Sequence, residues 1–149
     1  MNKKQKSLNN KGFSLVELII VIAIMAVLVG VLAPQYLKYV EKSRESADLD
    51  NAQNVISAIQ VYAADEAVAT ADKLKDGGTI TFAAAGASVG GTTGSNIDKA
   101  LTAASVEVGS IKFKSSKYTG ATIKVTVTDG VPTFEETTTT GLGAALGLN

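Results

Sequence analysis

No cysteine and no histidine occur among the 149 residues of this chain. Without cysteine there are no disulfide staples, no thiolate metal sites and no thiol chemistry. Without histidine the commonest general base and metal ligand is missing. Tryptophan is also absent and only four Phe and four Tyr are present, which argues against a large aromatic-lined pocket. Only two prolines interrupt the chain. Charge of one sign is missing from the first twelve residues, which hold Lys3, Lys4, Lys6 and Lys11 and no acid. The formal net charge is zero, but without those twelve residues ten basic side chains face fourteen acidic ones, near −4. A mildly acidic product does not suit nucleic acid or an anionic membrane surface as its main partner. The length allows one modest domain beside an N-terminal segment.

What is there, first of all, is an apolar run. Leu18 to Ala33 is sixteen residues without a polar side chain. Extended back to Phe13 it is interrupted only by Ser14 and Glu17. At about 1.5 Å per residue it makes roughly 32 Å of helix, enough to cross a bilayer core. Lysines precede it, so the N-terminus is expected in the cytoplasm and the remainder outside.

Three readings compete for this segment. As a secretory signal peptide it is too long, and Pro34 would follow the cut suggested by Val31-Leu32-Ala33. As a plain membrane anchor it leaves Glu17 without a purpose, because a carboxylate one turn into such a helix costs several kcal/mol unless neutralised or paired. The third reading supplies the purpose. A cut between Gly12 and Phe13 creates a charged amine four residues before Glu17, and in a packed array one copy's amine can pair with another copy's carboxylate.

Lys11-Gly12-Phe13-Ser14-Leu15-Val16-Glu17-Leu18, followed by the apolar run, resembles the class III signal of type IV pilins and type II secretion pseudopilins. It has a basic leader, Gly before the cut, Phe after it, and Glu as the fifth mature residue. The resemblance implies cleavage after Gly12 by a membrane prepilin peptidase, N-methylation of Phe13, and a subunit-docking role for Glu17. It further implies an inner-membrane assembly platform with ATPase-driven machinery, membrane lipid around the helix before assembly, and a homopolymeric extracellular filament for adhesion, motility or aggregation. Pro34 falls where such pilins carry a helix-bending proline. With Gly30 one turn earlier, the Gly30–Pro34 stretch is the weakest part of the helix by propensity and is expected to bend. Many Gram-negative pilins close their C-terminal region with a disulfide. This chain cannot, which favours a Gram-positive or otherwise cysteine-poor pilin.

Past the membrane run the residues favour helix to about Thr70. Leu37, Val40, Ala47, Ala52, Val55, Ile56, Ile59, Tyr62 and Ala63 recur at three- and four-residue steps as one apolar stripe. Glu41, Lys42, Arg44, Glu45, Asp48, Asp50, Gln53 and Asn54 are assigned to the solvated side. From Phe13 such a helix would run roughly 85 Å, longer than a small domain needs. Gly77-Gly78 marks a break. Thr79–Phe82 suits a short strand, and Gly86–Gly94 reads as a flexible loop. Ser95 with Asp98 looks like a capping box for a helix from Asn96 to about Ala104. Ile111–Lys114 and Thr122–Thr128 alternate as strands. Asp129-Gly130 signals a tight hairpin, and Pro132 places the next strand at an edge.

The expected fold is α+β. A long N-terminal helix, its first half protruding and apolar, packs by its C-terminal half on a small antiparallel sheet. The segments are a removed leader (1–12), a membrane and filament-core helix (13–34), its amphipathic continuation (35–70), a glycine-rich connection with a short helix (71–110), the sheet (111–136) and a flexible small-residue tail (137–149). Leu142, Leu146 and Leu148 are available to pack on the sheet.

No constellation for catalysis emerges, so no enzyme, cofactor or metal site is expected. Asp65 and Glu66 are adjacent and diverge on a helix. Gly94-Ser95 lacks the lysine of a phosphate loop. Lys112, Lys114, Lys117 and Lys124 read as a solvated face. A DNA-binding stripe there has only Phe113 and Tyr118 for stacking. The major-pilin reading leads. A pseudopilin of a secretion or competence machine shares the whole N-terminal argument. A single-pass anchored binding module would keep Met1–Gly12.

Overall fold

The computed structural model describes residues 12–93 and 95–148. Lys3, Lys4, Lys6 and Lys11, on which a leader was expected, lie outside these residues, as do Gly94 and Asn149. Two units divide the chain, Met1–Lys38 and Tyr39–Asn149. The first holds the N-terminal part of helix α1 (Leu15–Ala64), which is helical through Gly30 and Pro34. Every large apolar side chain from Phe13 to Leu32 is more than half exposed. This helix is long and apolar enough to cross a membrane.

The second unit is α+β. Strands β1 (Gly78–Thr81), β2 (Ser88–Gly91), β3 (Thr122–Thr128) and β4 (Val131–Glu136) form one antiparallel sheet in the order β2-β1-β3-β4. Cross-strand register places Val89, Ile80 and Ile123 side by side, and Val125 beside Phe134. That face meets Ala52, Val55, Ile56 and Ile59 of α1 in one core, completed by Ile97 and Leu101 of helix α2 (Ile97–Ala103). Phe82 and Phe113 stack at 4.5 Å between ring centroids. The other face is threonine-rich, with the Thr81 and Thr122 hydroxyls 3.0 Å apart. Period-2 alternation explains this division in β3, where Ile123 and Val125 are buried and Lys124 is exposed. The Asp129-Gly130 turn has φ of 52° and 81°, the paired left-handed conformation that such a two-residue hairpin demands. β4 is an edge strand and contains Pro132, as expected.

Five expectations are corrected. First, α1 stops at Ala64 rather than near Thr70, because the Asp65 carboxylate accepts the Ala67 N–H at 2.8 Å and competes with the helical ladder. Second, residues 88–91 are strand β2 rather than loop. Their backbone pairs with β1, which outweighs the weak propensity of Gly90 and Gly91. Third, 111–114 is not a strand. After a 3₁₀ turn (Val108–Ser110), the Ile111 carbonyl accepts from Ala87 N–H, and Phe113 N–H donates to the Ala83 carbonyl. Phe113 is nonetheless buried, with Lys112 and Lys114 exposed, so the alternation in facing survives without the ladder. Fourth, α2 begins with Asn96 in left-handed geometry and has no side-chain cap. Asn96 Nδ2 instead donates to the carbonyls of Ala71 and Lys73, at 3.1 and 2.8 Å. Fifth, the tail includes helix α3 (Leu142–Leu146), with Leu142 buried and Leu146 and Leu148 packed against the core.

Candidate functional site: the N-terminus of α1 and the acidic face of the head

Gly12 and Phe13 are exposed, and Phe13 retains 94% of its surface. Ser14 precedes the first turn of α1. Its Oγ accepts the Val16 N–H at 3.3 Å, its carbonyl accepts Leu18 N–H, and its own N–H donates to Glu17 Oε2 at 2.8 Å. This is a capping box, in which two helix-end donors are satisfied reciprocally. Glu17 therefore has a local use that sequence reasoning missed, although Ser-x-x-Glu before an apolar run is its signature. Among the bonds described, only Oε2 is engaged.

Gly30 and Pro34 lie inside α1, four residues apart. Proline has no N–H, so the Gly30 carbonyl loses its usual intrahelical donor.

The second arrangement belongs to the head. Asp48, assigned to the solvated face, is 1% exposed. Its Oδ1 and Oδ2 accept the Lys114 N–H at 3.0 and 3.1 Å, and Oδ2 accepts the Ser115 N–H at 2.8 Å. One turn and two turns earlier stand Glu45 and Glu41. Glu45 pairs with Lys117 Nζ at 3.8 Å. Glu41 Oε1 accepts from Ser116 N and, at 2.6 Å, from Ser116 Oγ. These bonds from Ser116, with Arg44 nearby, hold the Glu41 carboxyl below the usual carboxylate range. Three acids of α1 thus clip the segment 114–117 onto the helix. The signal was in the sequence. Glu41, Glu45 and Asp48 are in phase with Ala52, Val55 and Ile59, on the same stripe. What the pattern lacked was any reason to turn that stripe inward. Lys112 and Lys114 flank the clip outside regular strand, while Lys124 lies on β3 opposite Glu135.

A third arrangement, built on the Glu136 carboxylate, organises the C-terminal segment. Glu136 accepts from Thr138 Oγ1 and Thr140 N at 3.0 Å each, from Thr140 Oγ1, and from Gly143 N at 2.8 Å. Burial pushes its pKa up, but the bonds from Thr140, Gly143 and Thr138 outweigh that and leave it lowered. In a chain without cysteine, this carboxylate holds the tail to β4. Among the described residues, no group of three or more acids is arranged to hold a metal.

A long apolar N-terminal helix, packed farther along on a four-stranded antiparallel sheet, is a pilin-like α+β arrangement. Residues 7–33 match the prokaryotic N-terminal methylation motif. Over 67 residues the chain is 39% identical to a fimbrial protein, EcpC, of Eikenella corrodens. That span is 45% of this chain and 44% of the relative, so the chain covers less than half the relative's length. No solved structure matches. The motif, the apolar helix and the fimbrial relative support a type IV pilin. The motif and helix also fit a membrane-anchored precursor.

Proposed function

We propose that this chain is the structural subunit of a type IV pilus. A prepilin peptidase cuts between Gly12 and Phe13, Phe13 is N-methylated, and an ATPase-driven platform lifts the subunit from the bilayer. The observation that carries the reading is the bare apolar surface of α1 directly behind the methylation motif. Fifteen large apolar side chains from Phe13 to Leu32 are more than half exposed. Each gains about 1.5–3 kcal/mol on leaving water. Lipid covers them in the precursor and neighbouring copies cover them in the filament. The relative's description as fimbrial agrees with this use.

Glu17 is the docking residue in this scheme. Its Oε2 caps its own helix through Ser14 N–H, and its second oxygen receives the amine of a neighbouring copy's Phe13. Gly30–Pro34 is the point at which the helix yields during packing, since one ladder bond is already missing there.

The test is mass spectrometry of the N-terminus of purified filaments. A peptide beginning at methylated Phe13 is expected, and one retaining Met1–Gly12 would overturn the reading in favour of a plain anchored module. Glu17→Ala should leave the cut intact and lower the filament yield. Normal yield from that variant would remove Glu17 from the docking role.

A further inference from the structure

The head carries a net excess of charge of opposite sign at two places, one beside the middle of α1 and one at its C-terminal end. The first is the clip. There Glu41, Glu45 and Asp48 are turned onto segment 114–117. Lys112 and Lys114 are left exposed, and among the described residues neither forms an ion pair. With Arg44, whose contact to Glu41 is a loose 3.6 Å, they line an open cleft of about 630 Å³ that Glu41 also borders, three cations to one carboxylate already engaged by Ser116.

The second place is the C-terminal end of α1. Asp65 lines a small cavity with Tyr62, Lys73 and Gly130, which brings the Asp129-Gly130 turn beside the helix end. Asp65, Glu66 and Asp129 are exposed, and among the described residues none is in an ion pair. Arg44 and Asp65 are twenty-one residues apart on and just beyond one helix, about 32 Å along its axis.

We propose that the Arg44–Lys112–Lys114 cleft receives the Asp65–Glu66–Asp129 end of a second copy of this chain. The inference rests on the filament reading above and names one of its head contacts. Charge complementarity selects the occupant. The mature chain is net acidic, so copies repel on average, and only a register that sets the basic cleft against the acidic end offsets this. A two-fold dimer would use the cleft and the acidic end of both copies at once and close on itself, ending growth. A nucleic acid would fill the cleft but repel the acidic end. A contact between two different surfaces leaves one of each free at the ends and so propagates as an open filament.

Charge reversal in the full chain, in a pilus-assembling host, tests it. Lys112→Glu with Lys114→Glu, or Asp65→Lys with Glu66→Lys, should each lower the yield of sheared filaments at least about tenfold, with the N-terminal cut unchanged. The four substitutions together should restore most of it. Normal yield from either pair, or a combined variant no better than the worse pair, overturns the proposal. Carbodiimide coupling of unaltered filaments covers the case in which a variant misfolds. Peptides joining Lys112 or Lys114 to Asp65 or Glu66 are expected. Filaments yielding only other coupled peptides overturn this contact and leave the pilus reading standing. An unaltered chain that makes no filaments overturns both.

Discussion

Removing the Asp48 carboxylate tests whether the acidic clip holds the head together. In Asp48→Ala, the N–H of Ser115, a residue 1% exposed, loses its acceptor at 2.8 Å. An orphaned buried donor costs about 1–3 kcal/mol. Lys114 is at the surface, so its N–H recovers water and adds less. The lost desolvation penalty of the carboxylate offsets part of this. The balance is a destabilisation of about 2 kcal/mol. For a head of this size, that lowers the melting temperature by about 8 °C. Asp48→Asn keeps one acceptor but turns an amide donor towards the second N–H, so about half the loss is expected. The assay is near-UV circular dichroism of the full chain in detergent micelles. Tyr118 is buried and its N–H donates to Ser115 Oγ at 3.2 Å, so its signal reports on this segment. An Asp48→Ala variant melting within about 1 °C of the unaltered chain would refute the reasoning. So would an Asn variant that loses more than the Ala variant.

Two further outcomes follow from the head. Glu136 has a lowered folded-state pKa, so its contribution is present above the unfolded carboxyl value and is lost as pH falls through the folded value. Exchange of the amides of Thr140 and Gly143 should therefore accelerate relative to the core on acidification, and Glu136→Gln should flatten that dependence. A Cβ at Gly78 would stand 2.1 Å from Ile97 Cδ1, so Gly78→Ala should cost about 1–3 kcal/mol in a urea titration, and combined with Ile97→Ala the loss should be less than the sum of the two separate losses.

Legibility followed the range of the signal. The β3–β4 hairpin was readable because alternation and Asp129-Gly130 are local and agree with each other. β2 was not, because Gly90 and Gly91 carry almost no propensity and the strand exists by pairing with β1. Ile111–Lys114 gave the correct facing but the wrong backbone partners, since alternation says where side chains go and not where N–H groups donate. Ser14 and Glu17 were legible in principle, because both partners of that capping box lie within three residues.

By itself, the sequence determined the methylation motif over residues 7–33, the apolar length of the N-terminal helix and the hairpin, because each depends on neighbours along the chain. Only the tertiary structure decided the use of Glu41, Asp48 and Glu136. The donors to Glu41 and Asp48 come from 66 to 75 residues away. Glu136 needed the tail to fold back as α3 before its acceptors had anything to hold. A carboxylate on a helix reads as solvated until the fold brings an unpaired N–H against it, and no periodicity along the helix reports that approach.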